Sequence, residues 1–230
     1  MTSPEWTDDR VYGRRQDKPL RTRHSNLMSD LLPQVAVTPD TVKSIVAAHQ
    51  GDVWLEVGFG GGEHLAWHAA QNPDVLMIGA EPFINGVAKL LALIDEYDLK
   101  NVRVCHGDVR PLMAAIPDRR LSRMFVLHPD PWPKSRHFKR RMISAPFLAH
   151  AARLLQTGSE LRVASDIPDY VRWTLMRVQI HNRWNKDFQW TANRKADWTN
   201  RPEDWPQTRY EKKAIREGRP PAYLKFARCG

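Results

Sequence analysis

From residue 53 onward, short apolar runs alternate with stretches whose apolar residues recur every three or four positions. The runs VWLEVGFG, VLMIGAEP, VRVCHGD, MFVLHPD and ELRVASD have the length and near-continuous apolar character of strands buried on both faces. Between them, segments beginning at Glu63, Ile84, Arg140 and Pro168 carry helical spacing, as in Val87, Leu90, Leu91 and Ile94. Alternating strands and helices predict an α/β fold, a parallel sheet covered on both faces through right-handed crossovers, with ligands outside the carboxyl ends of the strands. After about residue 181 the pattern changes to a polar stretch containing Trp184, Trp190, Trp198 and Trp205. A strand near FQWTA and a last one at AYLKFAR bring the sheet to seven, doubly wound and mostly parallel. On this reading residues 1–30 form a basic, mobile arm. Residues 31–230 form one domain, with a substrate-binding insert at about 181–220.

Charge narrows the partner. The chain of 230 residues has 35 Lys and Arg against 26 Asp and Glu, a formal charge of +9, which favours nucleic acid or another acidic partner. No apolar run reaches the roughly 18 residues of a spanning helix, so no membrane is expected. The first residues, MTSPEWTDDR, lack the apolar core of a secretory signal. Two cysteines, Cys105 and Cys229, make neither a metal cluster nor a disulfide framework, and a reducing cytoplasm fits them best.

The ends of the predicted strands carry acids. Glu56 lies inside the first, and Glu81, Asp108, Asp130 and Asp166 close the next four. One acid at a strand end is an ordinary turn former, and Asp166 before Ile-Pro is equally a helix cap. Five along one rim point to a site. The first loop, GFGGGEH, allows close backbone approach at Gly58, Gly60, Gly61 and Gly62. It is not the dinucleotide form GxGxxG, because Glu63 stands where the third glycine belongs. Carboxylates here repel a pyrophosphate and favour a cationic ligand. S-adenosylmethionine carries an ammonium and a sulfonium, Glu81 is placed to accept its ribose hydroxyls, and Asp108 to accept from its adenine amino group.

In HPDPWPKSRHFKRR, Pro129, Pro131 and Pro133 fix φ and remove donors, so Asp130, Trp132 and Lys134 sit on a rigid loop. Lys134, Arg136, Lys139, Arg140 and Arg141 follow without an intervening acid, as contacts to phosphates or as solvated cations. Trp132 either stacks on a base or packs on its own loop. His128 and His137 have no partners at metal spacing, and no metal is expected. If the acceptor is a guanine N7, its lone pair is already free. Asp130 then orients and compensates charge and does not deprotonate. A second cluster holds Thr208, Arg209, Tyr210 and Glu211 as base readers, while Thr208 and Glu211 also have the spacing of a capping box.

The segments LEVGFGGGEHL, GAEPF, HGDV, HPDPWPKSRHFKRR, ASD and TRYEKK resemble bacterial tRNA (guanine-N7-)-methyltransferases over nearly all of residues 20–228. The resemblance implies a class I, Rossmann-like methyltransferase fold, S-adenosylmethionine as donor, and tRNA as partner, methylated at N7 of guanosine 46 in the variable loop. By motif, Glu56, Gly58, Glu81, Asp108 and Asp130 are implied at the cofactor, with Asp130 the catalytic acid. Lys134, Asp166, Thr208, Arg209, Tyr210 and Glu211 are implied at the substrate. His128 departs from the family, where Phe is expected, and as a strand residue it bears on packing. A methyltransferase for another RNA or a protein, and a non-catalytic RNA-binding module, are the competing readings.

Overall fold

A computed structural model describes residue 6, residues 12–13 and residues 15–230. The chain divides into two compact units, one of Val11–Leu121 and one that includes Ser122–Gly230.

The first unit runs α1 (Thr22–Asp30), α2 (Leu32–Val35), α3 (Pro39–Ala48), β1 (Val53–Val57), α4 (Glu63–Gln71), β2 (Leu76–Glu81), α5 (Ile84–Glu96), β3 (Val102–His106) and α6 (Val109–Ala115). Every residue of β1 and β2 is buried, which is why their sequences read as continuous apolar runs. The three strands are parallel, with Glu56 beside Gly79 and Glu81 beside His106. Leu55, Ile78, Leu65, Leu90 and Leu91 are fully buried between sheet and helices. Of the expected arm, residues 1–5, 7–11 and 14 lie outside the described residues. Thr22–Asp30 form α1, which packs on α5 and places Arg23 3.1 Å from Asp95. That exposed pair contributes little, about 1 kcal/mol at most.

The second unit contains β4 (Leu121–Leu127, its first residue at the boundary), a 3-10 turn (Ser135–Arg140), α7 (Ala145–Leu154), β5 (Leu155–Ser165), α8 (Pro168–Asn182), β6 (Phe188–Trp190), α9 (Ala196–Thr199), α10 (Arg209–Arg216) and β7 (Ala222–Arg228). The last strand is antiparallel to both β5 and β6, pairing Ser165 with Ala222 and Trp190 with Phe226. The seven strands follow the order β3-β2-β1-β4-β5-β7-β6. This is the mostly parallel, seven-stranded α/β fold that the pattern predicts.

One helix start differs from expectation. The helix placed from Arg140 begins at Ala145, where the Ser144 hydroxyl accepts from the Phe147 amide and Pro146 occupies the first turn. Residues 135–140 form the tighter turn instead. Within the insert, Trp205 packs with Ala164 and Tyr223, so this tryptophan belongs to the core. Among the described residues, no helix is long and apolar enough to cross a membrane.

Candidate active site

One group of the expected site residues lies in the first unit. After β1 the chain turns through Gly58, Gly60 and Gly62 at φ of 70°, 57° and 79°, conformations that strain any residue with a Cβ. A Cβ added at Gly58 would meet nothing within 4 Å, so the loop opens there onto space a ligand can enter. Glu81 fixes this loop. Its Oε2 accepts from the Gly60 amide at 2.8 Å and its Oε1 from the Phe83 amide at 2.9 Å.

Glu56 is buried, and its Oε2 lies 2.8 Å from His64 Nδ1, whose Nε2 lies 3.1 Å from His68 Nε2. Burial, with the Glu63 carboxylate adding repulsion, pushes the Glu56 pKa well above the ordinary range. The two histidines are one helical turn apart on α4, a spacing visible in the sequence but silent about their carboxylate partner. Asp108 caps α6: its Oδ1 accepts from the Arg110 amide at 3.0 Å and its Oδ2 pairs with the Arg110 guanidinium at 2.6 Å. The Asp108 carboxylate is thus already engaged by Arg110. Glu63, Glu81 and Asp108 give the neighbourhood of the open glycine loop an acidic character, whereas burial favours the neutral form of Glu56, whose carboxyl is turned to His64 and not to that space. That chemistry suits a cationic adenosine ligand such as S-adenosylmethionine.

A second group of the expected site residues lies in the second unit. Strand β4 ends at Leu127, and His128 follows it at φ 48° with its amide donating to Ala164 O at 2.8 Å. The expectation that His128 lies within the strand is thus corrected. Its Nδ1 lies 3.4 Å from Asp166 Oδ1, so the residue touches the candidate site. Asp130 is exposed as a residue on the proline loop, yet desolvation of its carboxyl raises its pKa. Trp132, at φ 41°, packs on its own loop, with the Arg140 guanidinium 5.0 Å from its ring and His137 at its edge. Lys134, Arg136 and Lys139 are exposed, but Arg141 is buried. The reading of Arg141 as a phosphate contact or a solvated cation is corrected.

Asp166 follows β5 directly, and the N-cap of α8 is Ile167, so Asp166 is not the helix cap. Arg219 Nε donates to its Oδ2 at 2.9 Å. Burial alone raises the Asp166 pKa, yet bonds from Arg219, the backbone and His128 outweigh it and hold the group below the usual range. Thr208 caps α10, its hydroxyl accepting from the Glu211 amide at 3.3 Å. Glu211 is buried and does not complete the expected box by returning to the cap. Its Oε1 accepts from the Tyr223 hydroxyl at 2.6 Å and lies 3.4 Å from Arg201 Nε. Arg209 and Tyr210 are exposed, with the guanidinium 5.0 Å from the ring. The described residues contain no group of three His, Cys, Asp or Glu arranged to hold a metal ion.

A family model described as a putative methyltransferase matches residues 50–223. The tRNA (guanine-N(7)-)-methyltransferase of Rhodospirillum rubrum is 48% identical, over 96% of this chain and 88% of that protein. The protein of the same name from Ruegeria pomeroyi is 44% identical, over 99% of this chain and 98% of its own. The chain belongs to the bacterial tRNA (guanine-N7-)-methyltransferase family. It is an S-adenosylmethionine-dependent methyltransferase. A variant of the 16S rRNA (adenine(1408)-N(1))-methyltransferase from Catenulisporales acidiphilia, solved with its cosubstrate SAM, matches with a TM-score of 0.56 at 16% identity, over 84% of this chain and 92% of that one. The 16S rRNA methyltransferase KamB matches at a TM-score of 0.53 and 16% identity, over 81% and 92%. These two share the fold.

Proposed function

We propose that this methyltransferase acts on tRNA, placing the methyl group on N7 of guanosine 46 in the variable loop, in the cytoplasm. The observation that carries the reading is the near full-length likeness to relatives named for guanine-N7 methylation of tRNA, together with the proline-caged Asp130 loop and its exposed cations. S-adenosylmethionine supplies the methyl group: a bond forms from guanine N7 as the carbon–sulfur bond breaks, and positive charge passes from sulfur to the purine.

Glu81 and the glycine loop hold the adenosine end, with Gly58 giving close approach and Asp108 sharing itself between Arg110 and the adenine, while Glu56, buried and paired with His64, fixes α4 behind that loop. No proton need leave N7 before attack, so Asp130 orients the reacting groups and compensates the charge that appears on the base. Lys134, Asp166, Arg209 and Tyr210 face the acceptor. Thr208 and Glu211 act on it by fixing α10, through the cap and the Tyr223 bond.

The purified protein, given unmodified tRNA and S-adenosylmethionine, is expected to form 7-methylguanosine that nucleoside mass spectrometry maps to position 46. Product on ribosomal RNA alone, or none, refutes the reading. A second expected result concerns salt. Lys134, Arg136, Lys139, Arg209, Lys212 and Lys213 are exposed, and if most of them meet phosphates, tRNA affinity falls roughly a hundredfold or more between about 50 and 200 mM salt. A flat response in a filter-binding series removes the phosphate assignment.

A further inference from the structure

The cation run that follows Asp130 is not one electrostatic patch. Its fifth member, Arg141, is 2% exposed, while Lys134, Arg136 and Lys139 face solvent. Burying a guanidinium costs several kcal/mol unless the surroundings replace its water. Here they do so from every side. The Arg141 Nε donates to Pro131 O at 2.8 Å and a terminal nitrogen reaches Trp132 O at 3.4 Å. The same nitrogen pairs with Asp169 in the first turn of α8. The rings of Phe138, Trp173 and Tyr170 lie 3.9, 4.9 and 5.6 Å from the guanidinium carbon.

The two carbonyls that Arg141 holds flank the left-handed Trp132, and Asp130 precedes Pro131 directly. A non-glycine residue at positive φ costs about 1–3 kcal/mol and persists only where its surroundings over-determine it. The prolines restrict the loop but leave ψ free, and their missing N–H groups remove the hydrogen bonds that would otherwise fix it. We infer that Arg141 is a positioning residue for methyl transfer: from an aromatic box it clamps the Pro131 and Trp132 carbonyls and so fixes the loop that presents Asp130. The inference rests on the role of Asp130 proposed above. Lysine is no substitute, since an ammonium lacks the planar fork that reaches two carbonyls and a carboxylate while lying against rings.

The test is a double-mutant cycle in single turnover, with tRNA and S-adenosylmethionine affinities measured alongside. Arg141→Lys is expected to lower the methyl-transfer rate about a hundredfold, as a misplaced reacting group does. Both dissociation constants are expected to stay within about twofold. In an Asp130→Ala background the same change is expected to cost less than about twofold, because the group it positions is gone. Hydrogen exchange, read without turnover, is expected to rise in residues 128–141 and not in α7 or β5. An unchanged rate, or an equal loss in both backgrounds, overturns the inference. Should Arg141→Lys fail to fold, Asp169→Asn decides: it removes a half-exposed anchor, and is expected to slow transfer several-fold only where Asp130 is present. A wild-type protein that makes no 7-methylguanosine refutes the functional reading instead, and leaves the exchange result to judge the clamp.

Discussion

Asp130→Ala is expected to lower kcat by roughly a hundred- to a thousandfold, the scale of losing one preorganised electrostatic group, while tRNA and S-adenosylmethionine affinities change by less than about threefold. The reason is chemical. Guanine N7 attacks with a lone pair it already has, so the reaction needs alignment and a counter-charge for the base, and an alanine supplies neither. Desolvation raises the Asp130 pKa, which fixes the sign of the pH dependence. In stability terms, an acid with a raised folded pKa contributes stability below its unfolded value and loses it as pH rises through the folded one. Activity runs the other way, because only the ionised form compensates a cation. The acid limb of kcat is therefore expected above the ordinary aspartate value of about 3.9, falling as pH drops through the raised pKa. Asp130→Asn should flatten that limb. Matching losses of kcat and tRNA affinity in the alanine variant would assign Asp130 to binding.

The strands were legible because a buried parallel strand has one signature, a short apolar run, and Val53–Val57 and Leu76–Glu81 carry it without interruption. The acids at their ends were legible for the same reason, since a strand end marks where a polar side chain first becomes tolerable. The helices of Thr22–Ala48 were not. Residues Thr22–Asp30 bury nothing and hold their place by lying on α5, a contact between segments about 70 residues apart. Depth was the second blind spot. Arg141 reads like its neighbours because its compensation comes from Phe138, Asp169, Tyr170 and Trp173, most of them about 30 residues away. Glu211 misleads in the same manner: its spacing from Thr208 suggested a capping box, but Tyr223, twelve residues on, captures the carboxylate. His64 was invisible as a partner of Glu56 because one lies in a strand and the other on a helix across the glycine loop.

Gly86→Ala inverts the usual sign of a glycine substitution in a helix. Alanine ordinarily gains up to about 1 kcal/mol there. At position 86, in the first turn of α5, the added Cβ would lie 2.2 Å from the carbonyl oxygen of Gly60 and 3.3 Å from Glu81 Cγ. Relief requires about 1 Å of movement by backbone, and overpacking of this kind costs about 1–3 kcal/mol, which outweighs the propensity gain. The movement falls on the residue whose amide Glu81 holds at 2.8 Å, so the glycine loop and Glu81 are displaced together. The variant is expected to melt a few degrees lower and to bind S-adenosylmethionine at least tenfold more weakly by calorimetry. Its tRNA affinity is expected to remain within about twofold, because the exposed cations assigned to phosphates lie in the other unit. Wild-type donor affinity with a raised melting temperature would mean that the loop yields without cost, and that Glu81 does not hold Gly60 where the donor needs it.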